Sequence, residues 1–360
     1  MQQEEIKKAA AFLLEKIFNT NRPANELINS YLRTHRYIGS NDRKQLYSYV
    51  WDSIRFKARL EFSYPTHSWK ERLEYLETIN EIIDEAPNWV NWEVPEWMIK
   101  HIPEPEKELP CLLESPPVIL RAIEDRTKVQ MLLAQENIPT SLTSLSPFGL
   151  KVEDGRYNIV ASRAYKDGLV EIQDEGAQMI ALDINVKPKS SIFDFCAGAG
   201  GKSLIFAQIM KNQGEIASYD VSVRSLKELE KRAKRSHISI IKTYYKLFPN
   251  YKKFDYVVVD APCSGTGTWR RCPDARWKIT EKQLLNITQR QAEILEKAST
   301  YVKDGHFLCY MTCSITKEEN EKQIENFLSS HQNFTLKYQK RYSPYRTQTD
   351  GFFITIMQKI

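Results

Sequence analysis

SIFDFCAGAGGK, at residues 191–202, is the stretch on which the reading of the fold turns. A strand-like run over 191–196 leads into three of the chain's thirteen glycines within four residues, Gly198, Gly200 and Gly201, and a helical segment over 201–212 follows. Toward the C-terminus, β-rich runs keep alternating with helical ones: strand 215–220, helix 222–236, strand 238–244, strand 255–260, helix 280–303, strand 306–312 and helix 317–329. Short strands separated by helices build βαβ units and a mostly parallel sheet. Two last strand-like runs, 334–338 and 352–358, are joined only by a loop containing Asp350-Gly351, so they are expected to pair antiparallel at one edge. An open sheet of this kind takes its ligands at the carboxyl ends of its strands.

Upstream of residue 188 the pattern is different. Ile6, Ala9, Ala10, Leu13, Leu14 and Ile17 recur at the three-and-four spacing of an amphipathic helix. A polar cluster, Asn19 to Arg22, followed by Pro23, ends it. A second helix carries Leu27, Ile28, Tyr31 and Leu32, and a third follows Ser40-Asn41-Asp42 and runs through Leu46, Tyr49, Val50 and Ile54. A further helical stretch is expected over 69–86. Residues 87–118 are rich in proline and acidic side chains and read as a linker. The expected organisation is a helical domain over 1–86, a Pro-rich acidic linker over 87–118, a small connecting α/β subdomain over 119–187 and a larger α/β domain over 188–360.

Composition bounds the function classes. With 42% hydrophobic and 27% charged residues in 360, the chain is ordinary for a soluble globular protein, which excludes disordered, fibrous and disulfide-stapled classes. No run approaches the ~20 apolar residues of a membrane-spanning helix. The opening MQQEEIKKAAAFLLEKIF lacks a signal peptide's apolar core and cleavage site, so a cytoplasmic protein without a membrane partner is expected. No C-x-x-C pair suggests zinc, and no metal is expected. Net charge is +5 but uneven: 31–60 and 221–290 are basic, 71–120 acidic. Basic segments inside a globular chain favour a polyanionic partner. A solvated helix face gives the same pattern, so charge alone decides little.

Three segments carry chemistry. The glycine-rich turn at 196–202 is neither a Walker A loop nor the six-residue dinucleotide pattern. Its glycines let the backbone approach a ligand, and Asp220, ending the next strand, offers a carboxylate to the two hydroxyls of a ribose. An adenosine-bearing cofactor is therefore expected. The second segment is DAPCSGTG at 260–267, directly after Tyr256-Val257-Val258-Val259, and the third is YMTCS at 310–314. If their strands are neighbours, Cys263 and Cys313 project into one pocket although fifty residues apart in the chain. Carbon 5 of cytosine is too poor a nucleophile to take a methyl group unaided. A thiolate adding to carbon 6 makes it enamine-like, and a carboxyl group near N3 stabilises the adduct. The Asp-Pro-Pro-aromatic signature of amino-group methylation is absent, which favours carbon methylation.

CAGAGGK at 196–202, DAPCSGTG at 260–267, RRCPDARW at 270–277, YMTCS at 310–314 and TDGFF at 349–353 together resemble the RsmB/Sun family of RNA (cytosine-5) methyltransferases, in its bacterial ribosomal RNA branch. IQDEGAQ at 172–178 looks like that family's segment ahead of the cofactor loop, and the resemblance spans about 117–360. It implies a Rossmann-like α/β methyltransferase domain with a seven-stranded, mostly parallel sheet. The stretch NELINSYLRTHRYIGSNDRKQLYSYVWDSIR at 25–55 looks like an all-α, NusB-like RNA-binding domain, with Arg33, Arg36, Arg43, Lys44 and Arg55 available to phosphates.

The residues alone do not order the two thiols; the resemblance implies Cys313 as the nucleophile and Cys263 as the group that helps release the product. It implies Asp260 as a contact to both the cofactor's methionine side and the target base. Cys196, Ala197, Gly198, Ala199, Gly200, Gly201 and Lys202 would cradle S-adenosylmethionine, with Asp220 on the ribose, and Arg270, Arg271 and Arg276 would lie near RNA. The implied substrate is a cytosine of small-subunit ribosomal RNA, reached by leaving its stack. Transfer RNA as substrate, or a decayed site in an RNA-binding ribosome-assembly factor, stay open. Three departures stand out: Ala199 where the family usually has proline, Thr243-Tyr244-Tyr245 where it has an acid near the adenine, and Ile123 where asparagine is typical.

Overall fold

The computed structural model describes residues 2–153, 157–247, 249 and 252–360. The chain divides into two compact units, Met1–Ser115 with Thr268–Leu284, and Pro116–Gly267 with Leu285–Ile360. Among the described residues, no helix is long and apolar enough to cross a membrane.

The first unit is helical: α1 (Gln3–Phe18), α2 (Ala24–Thr34), α3 (Ser40–Arg55), α4 (Lys57–Ser63), short α5 (Trp69–Arg72) and α6 (Asn88–Asn91), α7 (Pro105–Cys111) and α13 (Pro273–Lys278). Its core packs the expected face of α1, including Ala10, Leu14 and Ile17, against Ile28 of α2 and Val50 and Ile54 of α3. The expected linker is instead folded into this unit. Val90, Val94, Met98, Ile102, Leu109 and Leu112 are each at most 2% exposed. The prolines that suggested a linker punctuate short helical turns: Pro87 precedes α6, Pro95 precedes the turn Glu96–His101, and Pro105 opens α7. Proline's fixed φ suits such starts.

The same unit takes back a piece of the later chain. The Arg276 guanidinium donates to the Glu93 carbonyl at 2.9 Å and the Leu112 carbonyl at 3.1 Å, and stacks over Trp269. Asp274 accepts the first backbone N–H of α2 from Ala24 at 3.0 Å, and the Trp277 indole donates to the Ile54 carbonyl. Glu93 is fully buried and caps α4, accepting from the backbone of Ala58 and Arg59 at 2.7 and 3.1 Å. Burial pushes its carboxyl up to about 8, against the pull of those two N–H groups and of Arg276 and Arg59. The expectation that Arg270 and Arg276 face RNA is thereby corrected. Both are buried, and the Arg276 guanidinium is spent on carbonyls that would otherwise lie unsatisfied. Of the three arginines, Arg271 keeps partial exposure. Arg55 is likewise buried, donating to the Leu113 and Glu114 carbonyls.

The second unit holds two sheets. Strands β1 (Ile119–Ala122), β2 (Thr140–Leu142), β3 (Gly149–Val152) and β4 (Val170–Ile172) form an antiparallel sheet in the order β2-β3-β1-β4, with helices α8 (Arg126–Gln135), α9 (Arg163–Lys166) and α10 (Glu175–Asp183). The expected connecting subdomain belongs to the same compact unit as the larger sheet. That sheet comprises β5 (Ser191–Asp194), β6 (Glu215–Tyr219), β7 (Ile241–Tyr244), β8 (Phe254–Asp260), β9 (Val302–Thr312), β10 (Phe334–Tyr342) and β11 (Phe352–Lys359), in the order β10-β11-β9-β8-β5-β6-β7. Strands β5 to β9 run parallel, while β11 is antiparallel to both β9 and β10. The seven-stranded, mostly parallel Rossmann-like sheet is as expected.

Helices α11 (Gly201–Ile209), α12 (Val223–Arg235), α14 (Glu281–Ser299), α15 (Glu321–Ser330) and α16 (Pro344–Thr347) complete the unit, α14 entering it at Leu285. Ile205 and Phe206 of α11 pack on Ile192 and Val258, while Leu295 and Ala298 of α14 pack on Phe193 and Val257. Neighbouring residues of one strand thus serve opposite faces, and both faces are covered, as a parallel sheet requires.

Candidate active site

The glycine-rich turn leaves β5 and enters α11 through Gly200, at φ +86°. A Cβ there would sit 2.1 Å from Leu229 Cδ1, so glycine answers both the backbone and the packing. The turn is tied down on three sides. Asp220, after β6, accepts from Gly198 N–H at 2.9 Å and Ser222 N–H at 2.7 Å. Gln173 of IQDEGAQ donates to the Gly201 carbonyl at 3.1 Å. Arg232 of α12 donates to the Ala199 carbonyl at 2.6 Å and pairs with buried Glu171 at 2.9 Å. That guanidinium holds the backbone where the resembled family has a rigid proline.

A cavity of about 410 Å³ opens beside these strand ends. Cys196, Asp220, Asp260 and Pro262 line it from the sheet, and Arg290, Glu293, Ile294 and Lys297 line it from one face of α14. Each Asp220 oxygen takes one backbone N–H, so acceptor capacity remains for a diol. The volume suits a small-molecule ligand. A group carrying a ribose and an amino-acid chain therefore fits the residues present. Near the expected adenine position the Thr243 and Tyr245 hydroxyls both donate to Glu230, so they have only acceptor capacity left to offer. The acid on the opposite wall is Glu293, which sequence reasoning missed. The spacing of residues 290, 293, 294 and 297 is helical, but their charged character reads as a solvated face.

Lys202 reaches across from α11 to Asp260 at 3.0 Å. Burial works to lower its ammonium, and Asp260's charge and hydrogen bond more than offset that, leaving it raised. Behind it, fully buried Asp194 accepts from Ser203 at 2.6 Å. Burial pushes its carboxyl up to about 7, the Ser203 bond opposing.

Strands β8 and β9 are neighbours, with Val258 opposite Cys309 and Asp260 opposite Met311. Their carboxyl ends bring Cys263 and Cys313 together, Sγ to Sγ at 3.2 Å, and both are free thiols. The hydrogen bond with Cys313 pushes the Cys263 thiol well up, and burial adds to it. Glycine permits a third loop to join them. Gly351 N–H donates to the Gly267 carbonyl at 2.8 Å, and a Cβ on Gly267 would lie 2.2 Å from the Gly351 oxygen. TDGFF is held in turn by Asp174, which accepts from Asp350 N–H at 3.3 Å.

One buried carboxylate, Glu319, fastens the two cysteine loops to each other. It accepts from the Ser264 backbone at 2.7 Å, the Ser264 and Ser314 hydroxyls, the Thr316 hydroxyl at 2.9 Å and Gln291 at 3.0 Å. Sequence reasoning passed over it inside a charged run. The available signal was Thr316-x-x-Glu319, a capping-box spacing immediately after the thiol.

Residues 180–358 match the family model described as 16S rRNA methyltransferase RsmB/F. The chain is 30% identical over 298 residues to a probable ribosomal RNA small subunit methyltransferase B of Bacillus subtilis (strain 168), covering 74% of this chain and 66% of that protein. It is 31% identical over 245 residues to a human 28S rRNA (cytosine(4447)-C(5))-methyltransferase, covering 59% of this chain and 30% of that one. In both cases the chain spans less than two thirds of the relative's length. In fold it is similar to the crystal structure of PH0851, with a TM-score of 0.81 at 23% identity, covering 100% of this chain and 99% of that one. With that motif order, that sheet and these matches, the chain belongs to the RsmB/F methyltransferase family.

Proposed function

We propose that this protein methylates carbon 5 of a cytosine in small-subunit ribosomal RNA, with S-adenosylmethionine as methyl donor and a covalent adduct at Cys313. The observation that carries the reading is the thiol pair, 3.2 Å apart at the ends of adjacent parallel strands beside the Lys202–Asp260 pair. S-adenosylmethionine supplies an electrophilic methyl group; Cys196 to Lys202, Asp220 and Asp260 are the residues that would hold it.

The chain's own residues do the rest. The Cys313 sulfur forms a bond to carbon 6 of the flipped base, and the C5=C6 electron pair moves onto carbon 5. Asp260 faces the ring-nitrogen side and stabilises the adduct. Once carbon 5 is methylated, loss of its proton to a base restores the double bond and expels the Cys313 thiolate. Cys263, whose thiol the hydrogen bond with Cys313 and burial push up, is the group this reading assigns to the release stage, with Cys313 assigned to attack. Of the three RRCPDARW arginines, Arg271 is the partly exposed one, and it is the one this reading places near RNA.

The test is methyl transfer from labelled S-adenosylmethionine to protein-free small-subunit RNA and, separately, to bulk transfer RNA, with bisulfite mapping of any product. Label at one ribosomal cytosine supports the reading. Label confined to transfer RNA keeps the chemistry and removes the substrate. No label and no saturable cofactor binding favour a decayed RNA-binding factor.

A further inference from the structure

The helical unit carries a surface feature that methyl transfer does not use. Four rings follow one another across α1, α2 and the turn after α2: Phe12, Tyr31, His35 and Tyr37. Their centroids are separated by 6.0 Å from Phe12 to Tyr31, 3.9 Å from Tyr31 to His35 and 5.8 Å from His35 to Tyr37. Tyr31 and His35 are stacked 17° from parallel. Phe12 is 52% exposed and Tyr37 71% exposed, although burying such rings would stabilise the fold. The row is ordered by more than ring contact. His35 Nδ1 lies 2.9 Å from the Tyr31 carbonyl and 3.0 Å from the Thr34 hydroxyl.

Cations accompany the rings. The Lys16 ammonium lies 5.8 Å from the Phe12 centroid, Lys8 lines the same depression, and exposed Arg36 sits between His35 and Tyr37 in the chain. The depression has a volume of about 520 Å³, and its lining includes one acid, Glu5, and no leucine, isoleucine, valine or methionine.

We propose that this row is a stacking platform for unpaired bases of RNA, a binding site apart from the thiol-bearing pocket; the choice of RNA rests on the function proposed above. Every base has a π-face, so exposed rings bind single strands with little regard to sequence, and lysine and arginine beside them take the phosphates. Paired bases keep their faces inside the helix and cannot use such a platform. An aliphatic protein partner would find ring faces, cations, Glu5 and Ala9 here, without the Leu, Ile or Met sockets such interfaces use.

The experiment is fluorescence anisotropy with the full chain, using a labelled unstructured RNA oligonucleotide and an RNA duplex of equal length. Phe12→Ala and Tyr37→Ala are compared with the native protein, with Tyr37→Phe as the conservative control. Each alanine variant is expected to weaken single-strand binding about fivefold to a hundredfold, from the 1–3 kcal/mol a stacked base contributes. Duplex binding and the thermal midpoint stay unchanged, and Tyr37→Phe retains single-strand affinity. Unchanged single-strand affinity in both alanine variants overturns the proposal, as does an equal loss for duplex, which would signal bulk electrostatics. Sedimentation adds one more overturning outcome: self-association abolished by the variants while RNA affinity stays, which would make the row a contact between copies of this chain. Ring-dependent binding without methyl transfer would leave the platform standing and remove the proposed reaction; transfer without ring dependence would do the reverse.

Discussion

Glu319→Gln is the change that most directly asks whether one carboxylate sets the geometry of both thiol loops. In the native protein, one carboxylate oxygen accepts from the Ser264 backbone and Gln291, and the other from the hydroxyls of Ser264, Ser314 and Thr316. A glutamine oxygen can reproduce the first pair. Its amide then faces three hydroxyls that now donate, and each must turn to accept or find another partner. Hydrogen bonds to a charged group contribute about 1.5–3 kcal/mol and neutral ones about 0.5–1.5, so three exchanges cost roughly 3 kcal/mol. For a unit of this size that is a fall in thermal midpoint of about 6–12 °C. Cofactor affinity is expected to hold within about twofold, because none of Glu319's five bonds touches the glycine turn or Asp220. Turnover should fall tenfold to a hundredfold, since a displacement near 1 Å at a reacting atom costs about that much. Calorimetry, equilibrium cofactor binding and single-turnover methyl transfer would measure the three quantities. A lowered midpoint with unchanged turnover would refute the reasoning: Glu319 would then staple the fold without positioning Cys263 or Cys313.

Further outcomes follow from other contacts. Cys263→Ala should still permit attack but slow release, so a denaturant-stable protein–RNA adduct accumulates on gels, while Cys313→Ala gives none; the opposite pattern would exchange the two roles. Arg232→Ala frees the Ala199 carbonyl and leaves Glu171 with Arg235. Cofactor binding should weaken about tenfold, corresponding to one charge-assisted bond, and adding Ala199→Pro should recover part of it if loop order is what was lost. Asp194 has its folded-state pKa raised to about 7, so its contribution to stability is complete below about pH 4 and lost as pH rises to 7. Over that window native stability should fall more steeply with pH than that of Asp194→Asn, by up to about 1.4 kcal/mol per pH unit for one proton. Urea titrations of both proteins at pH 5, 6, 7 and 8 would reveal equal slopes if Asp194 titrates normally.

The alternation of strands and helices after residue 188 was legible because each strand is short, apolar and punctuated. The pairing of β8 with β9, and with it the meeting of Cys263 and Cys313, followed from the order of elements. Boundaries slipped where periodicity ran on: Ala298, Tyr301 and Val302 are all buried, so the helix expected to reach 303 ends at Ser299 and β9 begins at Val302. Residues 87–118 were misread because proline and acid content outweighed the apolar residues at 90, 94, 98 and 102. Arg276 was the harder case. Its partners are the carbonyls of Glu93 and Leu112, 183 and 164 residues away, and backbone acceptors leave no mark on a sequence. A basic cluster that serves a buried backbone is written in the same letters as one that meets phosphates.

The return of Thr268–Leu284 to the first unit also governs when that unit can be finished during synthesis. Its leading portion ends at Ser115, so the ribosome must add about 150 residues before the missing piece begins to emerge. At about 5–20 residues per second that is a wait of roughly 8–30 s. Throughout it, the Glu93 and Leu112 carbonyls lack Arg276, the start of α2 lacks its Asp274 cap, and the Ile54 carbonyl lacks the Trp277 indole. Most strands of the large sheet are made in that interval, β8 included. The helices before Ser115 are thus made ahead of the large sheet yet completed only after most of its strands, and a fragment cut after Ser115 would be a nascent-chain intermediate isolated in a tube.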